Sequence, residues 1–290
     1  MKSITFVSFK TQVSKLLLAA SALLLVAGTL AAAPLRRPVS PNQPMYLVHI
    51  DTWNYADPQK IIDLVPEDIR PYVVMNISLS ISHNVETSRF QVAEYGYEIA
   101  KSWLRTCAQN RMWAVVQIAS GGYSQFSDHD LSVYNELYRD YPNLIGINYA
   151  EQFWGYDDPS DPLSPKWMDR MNHLANLLEL SHRYGGYVFL SWCGNQWSPS
   201  INPIGMLKRC PAFAKARETY TENFLLFEKY TQTSYQSDME SLCLGSYLSG
   251  YSGGYGIRYD DTGWTDATGA GANFSMATGA SVHLEHMMLT

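Results

Sequence analysis

The chain contains 290 residues, of which 46% are hydrophobic and 17% charged, and its formal net charge at pH 7 is −6. This length and apolar content are sufficient for one large or two small domains with a full core. The acidic excess, and the lack of a Lys/Arg cluster after the N-terminal segment, argue against nucleic acid and anionic membranes as partners. The 20 Tyr and 8 Trp are typical of proteins that stack on flat, hydroxyl-rich ligands, although large cores use the same residues.

The N-terminus has the composition of a targeting segment. Three lysines within the first 15 residues precede an apolar run over 16–33, which ends in three alanines. This pattern predicts a secretory signal peptide over residues 1–33, followed by a Pro-rich linker over 34–44. The apolar run is also long enough for an uncleaved membrane anchor, which is the alternative. In both cases we expect the rest of the chain to be exported.

The cysteines and histidines carry no metal-binding pattern. Cys107, Cys193, Cys210 and Cys243 are far apart in sequence and form no C-x-x-C pair. Four cysteines allow three complete pairings between which the sequence does not choose, and unpaired buried thiols are an equal alternative. The seven histidines show no H-E-x-x-H or H-x-H spacing, so no metal and no cofactor is expected.

After the linker, β-rich runs alternate with helical patterns. The first predicted strand covers 45–51, and a helix opens at Asp57-Pro58, where proline occupies its preferred first helical position. The second predicted strand covers 72–79. The segment Ser88-Arg-Phe-Gln91 then predicts a capping box that opens a long helix ending near Asn110.

The alternation continues through the middle of the chain. A third strand is predicted over 112–120 and a helix over 128–138. The fourth strand is predicted over 143–151. Ser164-Pro165 opens the helix that follows, and Gly185-Gly186 ends it.

The remaining elements complete seven strand–helix units. They are predicted as a strand over 187–193, helical structure within 204–220, strands over 223–231 and 255–260, and helices over 237–248 and 279–289. Near-continuous apolar strands separated by helices predict a parallel sheet covered on both faces. The fold class that fits best is α/β, a (β/α)8 TIM-type barrel over residues 45–290, with seven of its units visible. A doubly wound open sheet is the alternative, but no Gly-rich nucleotide loop follows the first strand.

Polar and aromatic residues gather at the predicted strand ends, where barrel enzymes place their active sites. The candidates for substrate binding are Asp51, Trp53, Asn76, Gln117, Tyr149, Trp154 and Trp192. Carboxylates for chemistry, amides for hydroxyl groups and rings for sugar faces predict a carbohydrate site. Single members also have structural explanations, since the tryptophans fit a core equally well.

Glu151 is the candidate general acid. It ends the apolar run that begins at Asn143, and Trp154 and Tyr156 follow it. Desolvation among aromatic side chains disfavours an ionised carboxylate, which suits a proton donor in glycoside hydrolysis. A solvated Glu at an ordinary strand end is the structural alternative.

Glycoside hydrolysis also requires a second carboxyl group, and three positions qualify. The candidates are Asp238, Asp260 and Asp261. Their distances from Glu151 decide between retention and inversion, and the residues by themselves leave that choice open. Asp238 also fits a purely structural role as a first-turn acid at a helix N-terminus.

Three segments, 46–55, 148–151 and 247–260, resemble glycoside hydrolase family 98. The resemblance spans residues 45–290. It implies a secreted or cell-surface/periplasmic bacterial endo-β-1,4-galactosidase that acts with inversion on blood-group A/B or related glycans. It also implies a (β/α)8 catalytic domain followed by a β-sandwich domain.

The resemblance assigns roles to the carboxylates. It implies that Glu151 is the general acid and that the base is a carboxylate pair, with Asp238 as its first member and Asp260 as the alternative. The second member is expected near the end of an eighth strand beyond Thr290, and Glu285 is a weaker substitute. We therefore expect an incomplete barrel that expresses poorly or has little activity.

The residues also allow two other functions. One is a non-catalytic or degenerate barrel that binds an oligosaccharide or glycoconjugate through the same aromatic residues. The other is a metal-dependent hydrolase, suggested by His49 and Asp51 at the first strand end but disfavoured because no later strand end carries a histidine. The oligomeric state is not indicated by the sequence.

Overall fold

The computed structural model describes residues 33–51, 57–79, 81–84, 89–92, 94–119, 131–152, 162–193, 203–230 and 239–259. The strands in these ranges are β1 (Tyr46–Asp51), β2 (Val73–Ser78), β3 (Ile81–Asn84), β4 (Arg89–Val92), β5 (Trp113–Ala119), β6 (Leu144–Gln152), β7 (Tyr187–Cys193), β8 (Phe224–Tyr230) and β9 (Gly254–Tyr259). The α-helices are α1 (Pro58–Ile62), α2 (Glu94–Gln109), α3 (Leu131–Asp140), α4 (Pro165–Arg183), α5 (Pro203–Lys208), α6 (Pro211–Thr219) and α7 (Met239–Leu248).

Seven strands form one parallel sheet in the order β1-β2-β5-β6-β7-β8-β9. Each of them matches a strand predicted from an apolar run, and β7 has the predicted bounds. The strands follow one another in chain order, whereas a doubly wound sheet reverses its order at a switch point. This order therefore contradicts the alternative fold and agrees with a barrel-type sheet.

The long helix after β2 begins later than predicted. The residues expected to cap it and form its first turn, Arg89–Val92, instead form β4, which pairs antiparallel with β3. The helix α2 begins at Glu94. The predicted capping box was wrong. It considers only residues 88–91, whereas the backbone of β4 is hydrogen-bonded to β3, which lies earlier in the chain, and this pairing overrides the local helical preference.

Prolines and glycines set several helix boundaries as predicted. Pro58 and Pro165 occupy the first turns of α1 and α4, and the Asp57 side chain accepts a 3.0 Å hydrogen bond from the Gln59 amide. Gly185, which has a φ of 65°, follows the end of α4. The helical stretch predicted within 204–220 is two helices, because Pro211 begins a new helix, α6.

The core lies on both faces of the sheet. Val73, Met75 and Ile77 of β2 belong to a large cluster that includes helical side chains such as Trp103. Val74 belongs to a smaller cluster whose buried members all come from strands. Because successive side chains of a strand point to opposite faces, the large cluster lies on the helix-covered face, which we call the outer face. The smaller cluster lies on the other face, which we call the inner face.

The expected linker over 34–44 is packed against the starts of the strands. The Arg36 guanidinium donates to four backbone carbonyl oxygens at distances of 2.7 to 3.0 Å, those of Tyr138, Tyr141, Leu144 and Tyr184. Several of these carbonyls lie at the C-terminal ends of α3 and α4, where helical partners are lacking. This part of the chain is therefore bound to the sheet and its helices.

Two further contacts hold the same segment in place. Leu35 and Met45 pack against the inner cluster, and the Tyr187 hydroxyl donates a 2.9 Å hydrogen bond to the Arg37 carbonyl oxygen. Arg37 in turn donates to the carbonyl oxygen of Pro44 at 2.7 Å. The signal segment and the helix predicted over 279–289 lie outside the described residues.

Candidate active site

All seven parallel strands end at one edge of the sheet, which we call the C-terminal edge. Their last residues are Asp51, Ser78, Ala119, Gln152, Cys193, Tyr230 and Tyr259. The predicted site residues Glu151 and Trp192 are the second-to-last residues of β6 and β7, and Asp51 ends β1. The fold thus brings the backbone positions of these three candidates to the same edge.

Below this edge, predicted site residues on neighbouring strands contact each other directly. Asn76 donates a 2.9 Å hydrogen bond from Nδ2 to Oε1 of Gln117. Asn148 of β6, which was not among the predicted site residues, donates from Nδ2 to Oδ1 of Asn76 at 3.3 Å and to Oε1 of Gln117 at 3.4 Å. We call these three side chains the inner amide row, because Asn76 and Gln117 each stand two residues after an inner-face valine, Val74 and Val115, and so share the inner face.

The inner amide row is buried and internally bonded. Each of its three members is 2% exposed. Asn76 and Gln117 were predicted to bind substrate, but their amide groups are engaged with each other and with Asn148. They lie within the sheet, below the C-terminal edge. Asn148 pairs with Gln117 across the strands. In the sequence, only the alternation of side chains along β6 could have indicated that Asn148 shares the face of Gln117.

A further hydrogen bond connects the inner amide row to His49 of β1. Nδ2 of Asn76 lies 3.2 Å from Nδ1 of His49, and an amide nitrogen only donates. Nδ1 of His49 therefore accepts, which in the neutral ring leaves the proton on Nε2. No group of three or more His, Cys, Asp or Glu side chains suited to a metal occurs among the described residues.

The register of β6 changes beside Glu151. Tyr149 pairs with Leu190 of β7, and the next pair joins Gln152 to Trp192, so three steps along β6 oppose two along β7. One extra residue of this kind is a β-bulge, which bends a strand and redirects the side chains around it. Glu151 lies within the irregular segment, at the C-terminal edge.

Tyr149 lies on the outer face, which differs from its predicted contact with substrate. It is 1% exposed and belongs to the large cluster. Its hydroxyl lies 2.6 Å from Nε2 of His173 on α4 and 3.3 Å from the hydroxyl of Tyr134 on α3. The side chain is thus enclosed between the sheet and two helices, because alternation from inner-face Asn148 turns it outward.

The surroundings of Tyr149 keep its hydroxyl protonated. Burial raises the pKa of Tyr149 above its ordinary range, while its hydrogen bond to Tyr134 and the positive charge of Arg170 oppose the rise. Burial likewise raises the pKa of Tyr134 and lowers that of Arg170. His173 and Tyr134 were not among the predicted site residues. In the sequence they differ from their surroundings only as polar residues on helix faces that are otherwise apolar.

Other predicted site residues lie outside the described residues. These are Trp53, Trp154, Asp238, Asp260, Asp261 and Glu285. Asp238 directly precedes α7 and Asp260 directly follows β9, so both are adjacent in sequence to elements of the sheet and its helices. In the ranges that the structure describes, no helix is long and apolar enough to span a membrane.

Solved structures share this fold. Two structures of the catalytic module of a family 98 glycoside hydrolase from Streptococcus pneumoniae TIGR4, one in complex with the H-disaccharide and one with the LewisY pentasaccharide blood group antigen, each match with a TM-score of 0.59 and 20% identity. Each match covers 78% of this chain, and the chain spans 39% of the length of those structures. The similarity confirms the predicted fold class, an α/β, TIM-like arrangement, of which seven parallel strands are described.

Family membership follows from a longer match. Among the curated proteins, none matches the chain significantly. The sequence model of Glycosyl hydrolase family 98 matches residues 33–286, which include the packed N-terminal segment, the whole described sheet and the C-terminal edge. A match of this extent confirms the resemblance seen in three separate segments, and the chain belongs to glycosyl hydrolase family 98.

Proposed function

We propose that this chain is an inverting endo-β-1,4-galactosidase that cleaves blood-group A/B type or related host glycans. The observation that carries the proposal is the position of Glu151 at the C-terminal edge, within the bulged end of β6. Family membership supports glycosidase chemistry. The blood-group oligosaccharides bound in the structures of the streptococcal catalytic module support the class of substrate.

Glu151 is the proposed general acid. In this role its carboxyl group protonates the departing glycosidic oxygen, while a second carboxylate activates the attacking water. In an inverting enzyme the two carboxyl groups stand about 6.5–9.5 Å apart to leave room for that water. Asp238, next to α7, is the proposed base, and Asp260, next to β9, is its alternative.

The remaining site residues are proposed to have two roles, contact with the substrate and structural support of the residues that make this contact. Asp51, Trp53, Trp154 and Trp192 are the proposed substrate contacts, because they belong to the C-terminal edge or the segments that follow it in sequence. The inner amide row is proposed to support these contacts from below, since its polar atoms are bonded to one another.

The protein is proposed to be exported, so that it is secreted or located at the cell surface or in the periplasm. The support is the sequence of residues 1–33, with its lysines, apolar run and terminal alanines. N-terminal sequencing of protein recovered from culture medium and from the cell envelope tests this proposal. A mature N-terminus within the segment 31–45 supports cleavage, and an intact Met1 on membrane-bound protein supports the anchor instead.

Activity is tested with the full chain and defined glycans. The probes are the LewisY pentasaccharide and blood-group A and B glycans, with products identified by mass spectrometry and the first anomer by NMR. Inversion at a β-linkage yields the α-anomer first. Glu151→Gln keeps the side-chain shape but removes the proton donor, so kcat/KM is expected to fall by about 100-fold or more.

Glu179→Gln provides the matched control. Glu179 is an exposed residue of α4, so the same change of charge there leaves activity unaltered. Full activity of Glu151→Gln would contradict the assignment of the acid, and a β-anomer as first product would contradict inversion. Glycan binding without product, in the same experiment, would favour the alternative function, a non-catalytic glycan-binding barrel.

A further inference from the structure

Tyr149 occupies a distinctive position in the sheet. It pairs with Ala119 of β5, directly after a shift in register between Gln117 and Ala119, and it is the last residue of β6 to pair with β7 before the bulge. Beyond it, the pairing with β7 skips Ala150 and Glu151 and resumes at Gln152, which pairs with Trp192. The orientation of Glu151, two residues further on, therefore depends on how firmly Tyr149 is held.

The Tyr149 side chain is held by two helices at once. Its hydroxyl bonds to His173 of α4 and Tyr134 of α3, at 2.6 and 3.3 Å. The rings also contact one another, with centroids 5.8 Å apart for Tyr149 and His173 and 6.2 Å apart for Tyr134 and His173. These contacts connect the strand end to both helices that flank β6 in the chain.

Packing on the outer face of β6 does not by itself require a polar side chain at position 149. The other outer-face positions of β6, Leu144 and Ile147, are aliphatic and fully buried. Burying a hydroxyl and an imidazole in such surroundings costs free energy unless their hydrogen bonds are made, and the bonds then define one geometry. A hydrogen-bonded group located at the start of a bulge fits a positioning role.

We propose that Tyr149, held by His173 and Tyr134, is a positioning residue that fixes the bulged end of β6 and thereby the carboxyl group of Glu151. This inference rests on the proposed function of Glu151. Tyr149 does not touch the substrate in this role. It acts through the backbone of residues 149–152, and loss of its hydroxyl affects turnover more than substrate binding.

The chain contains a matched comparator, Tyr138. It is also a fully buried tyrosine with two hydrogen-bond contacts, because its hydroxyl lies 3.0 Å from Oγ of Ser181 and 3.3 Å from the carbonyl oxygen of Tyr187. Tyr187 is the first residue of β7, so this bond lies at the edge of the sheet opposite to Glu151. Loss of the Tyr138 hydroxyl therefore tests stability alone.

The experiment compares Tyr149→Phe and Tyr138→Phe in the full chain. We expect both variants to lower Tm to a similar extent. With the LewisY pentasaccharide as probe, Tyr149→Phe is expected to reduce kcat about tenfold or more, because small displacements of a catalytic group are costly, and to leave KM within about twofold. Tyr138→Phe is expected to leave both constants within about twofold of the unsubstituted protein. Equal kcat values in the two variants would overturn the proposal.

His173 variants provide a rescue test. His173→Gln retains a group that can bond the Tyr149 hydroxyl, whereas His173→Leu does not. The proposal expects kcat of His173→Gln to lie clearly above that of His173→Leu at similar Tm. Equal kcat values in these two variants would count against a role for the hydrogen bond.

Hydrogen exchange separates this proposal from the proposed function. Amides of residues 149–152 are expected to exchange faster in Tyr149→Phe than in Tyr138→Phe, because the strand end loses its anchor. Unchanged exchange at those amides would overturn the positioning role, whatever the activity. If the unsubstituted chain yields no product from any probe, the proposed function fails, and the exchange comparison still decides whether Tyr149 fixes the strand end.

Discussion

Asn76 and Gln117 share a 2.9 Å hydrogen bond between side chains on neighbouring strands, and both residues are 2% exposed. Parallel pairing of β2 with β5 places Asn76 opposite Val115 and Ser78 opposite Gln117, so the two amides are offset by one inner-face position. This offset lets the shorter side chain reach the longer one. The bond ties two strand ends together just below the C-terminal edge.

Gln117→Leu is expected to destabilise the fold. The substitution removes the acceptor used by Asn76 and Asn148 and leaves buried donors short of partners, at a cost of about 1–3 kcal/mol in the free energy of unfolding. Urea unfolding measures this change. Gln59→Leu is the control, because Gln59 accepts a comparable 2.9 Å bond from Asn110 on the exposed surface. Its effect should stay within about 0.5 kcal/mol, and equal losses in both variants would contradict the importance of burial.

Arg36→Met is expected to loosen the N-terminal segment from the sheet. The guanidinium serves four carbonyl oxygens at once, and hydrogen bonds to a charged donor are the stronger kind, so a loss of about 2–3 kcal/mol is expected. Arg139→Met is the control, since Arg139 is exposed and pairs with its neighbour Asp140. The control should unfold at the same urea concentration as the unsubstituted chain. Limited proteolysis within residues 33–45 should accelerate only for Arg36→Met.

Gly146→Ala is expected to disturb the contact between β6 and β7. A methyl group at Gly146 would overlap the Phe189 ring and lie 2.8 Å from the Tyr187 carbonyl oxygen, so overpacking should cost about 1–3 kcal/mol. Gly245→Ala is the opposite case, because nothing lies within 4 Å of its added carbon in α7. Alanine in a helix interior should raise stability there by about 1 kcal/mol. Thermal unfolding measures both, and a shift of the same sign in both variants would contradict the difference in packing.

The buried thiol of Cys107 is expected to make the fold less stable at alkaline pH. Burial raises the pKa of its thiol from an ordinary 9.0 to about 12. Between these values the unfolded chain has lost a proton that the folded chain keeps, so stability present below pH 9 falls as the pH rises towards 12. Urea unfolding at several pH values should show this decline, and it should be shallower in Cys107→Ala. Equal slopes in the two proteins would show that other groups, such as the buried tyrosines, account for the whole decline.

Much of the fold was predictable because strand formation depends on local apolar content. The seven sheet strands coincide with apolar runs, and the helices α1 and α4 begin at prolines that favour a first turn. The β3–β4 hairpin was not predictable from the same local patterns, since its pairing depends on residues beyond the capping window. The packing of residues 33–45 was missed for a similar reason, because its carbonyl partners belong to α3, α4 and β6.

By itself, the sequence determined the seven strands of the parallel sheet, the family, and the carboxylate at the end of β6. The tertiary structure alone decided that Asn76 and Gln117 bond to Asn148, and that Tyr149 points to the helices and not to the C-terminal edge. The physical reason is register. A composition pattern assigns a residue to a strand, but pairing with both neighbouring strands and the bulge near Glu151 determine which face each side chain occupies.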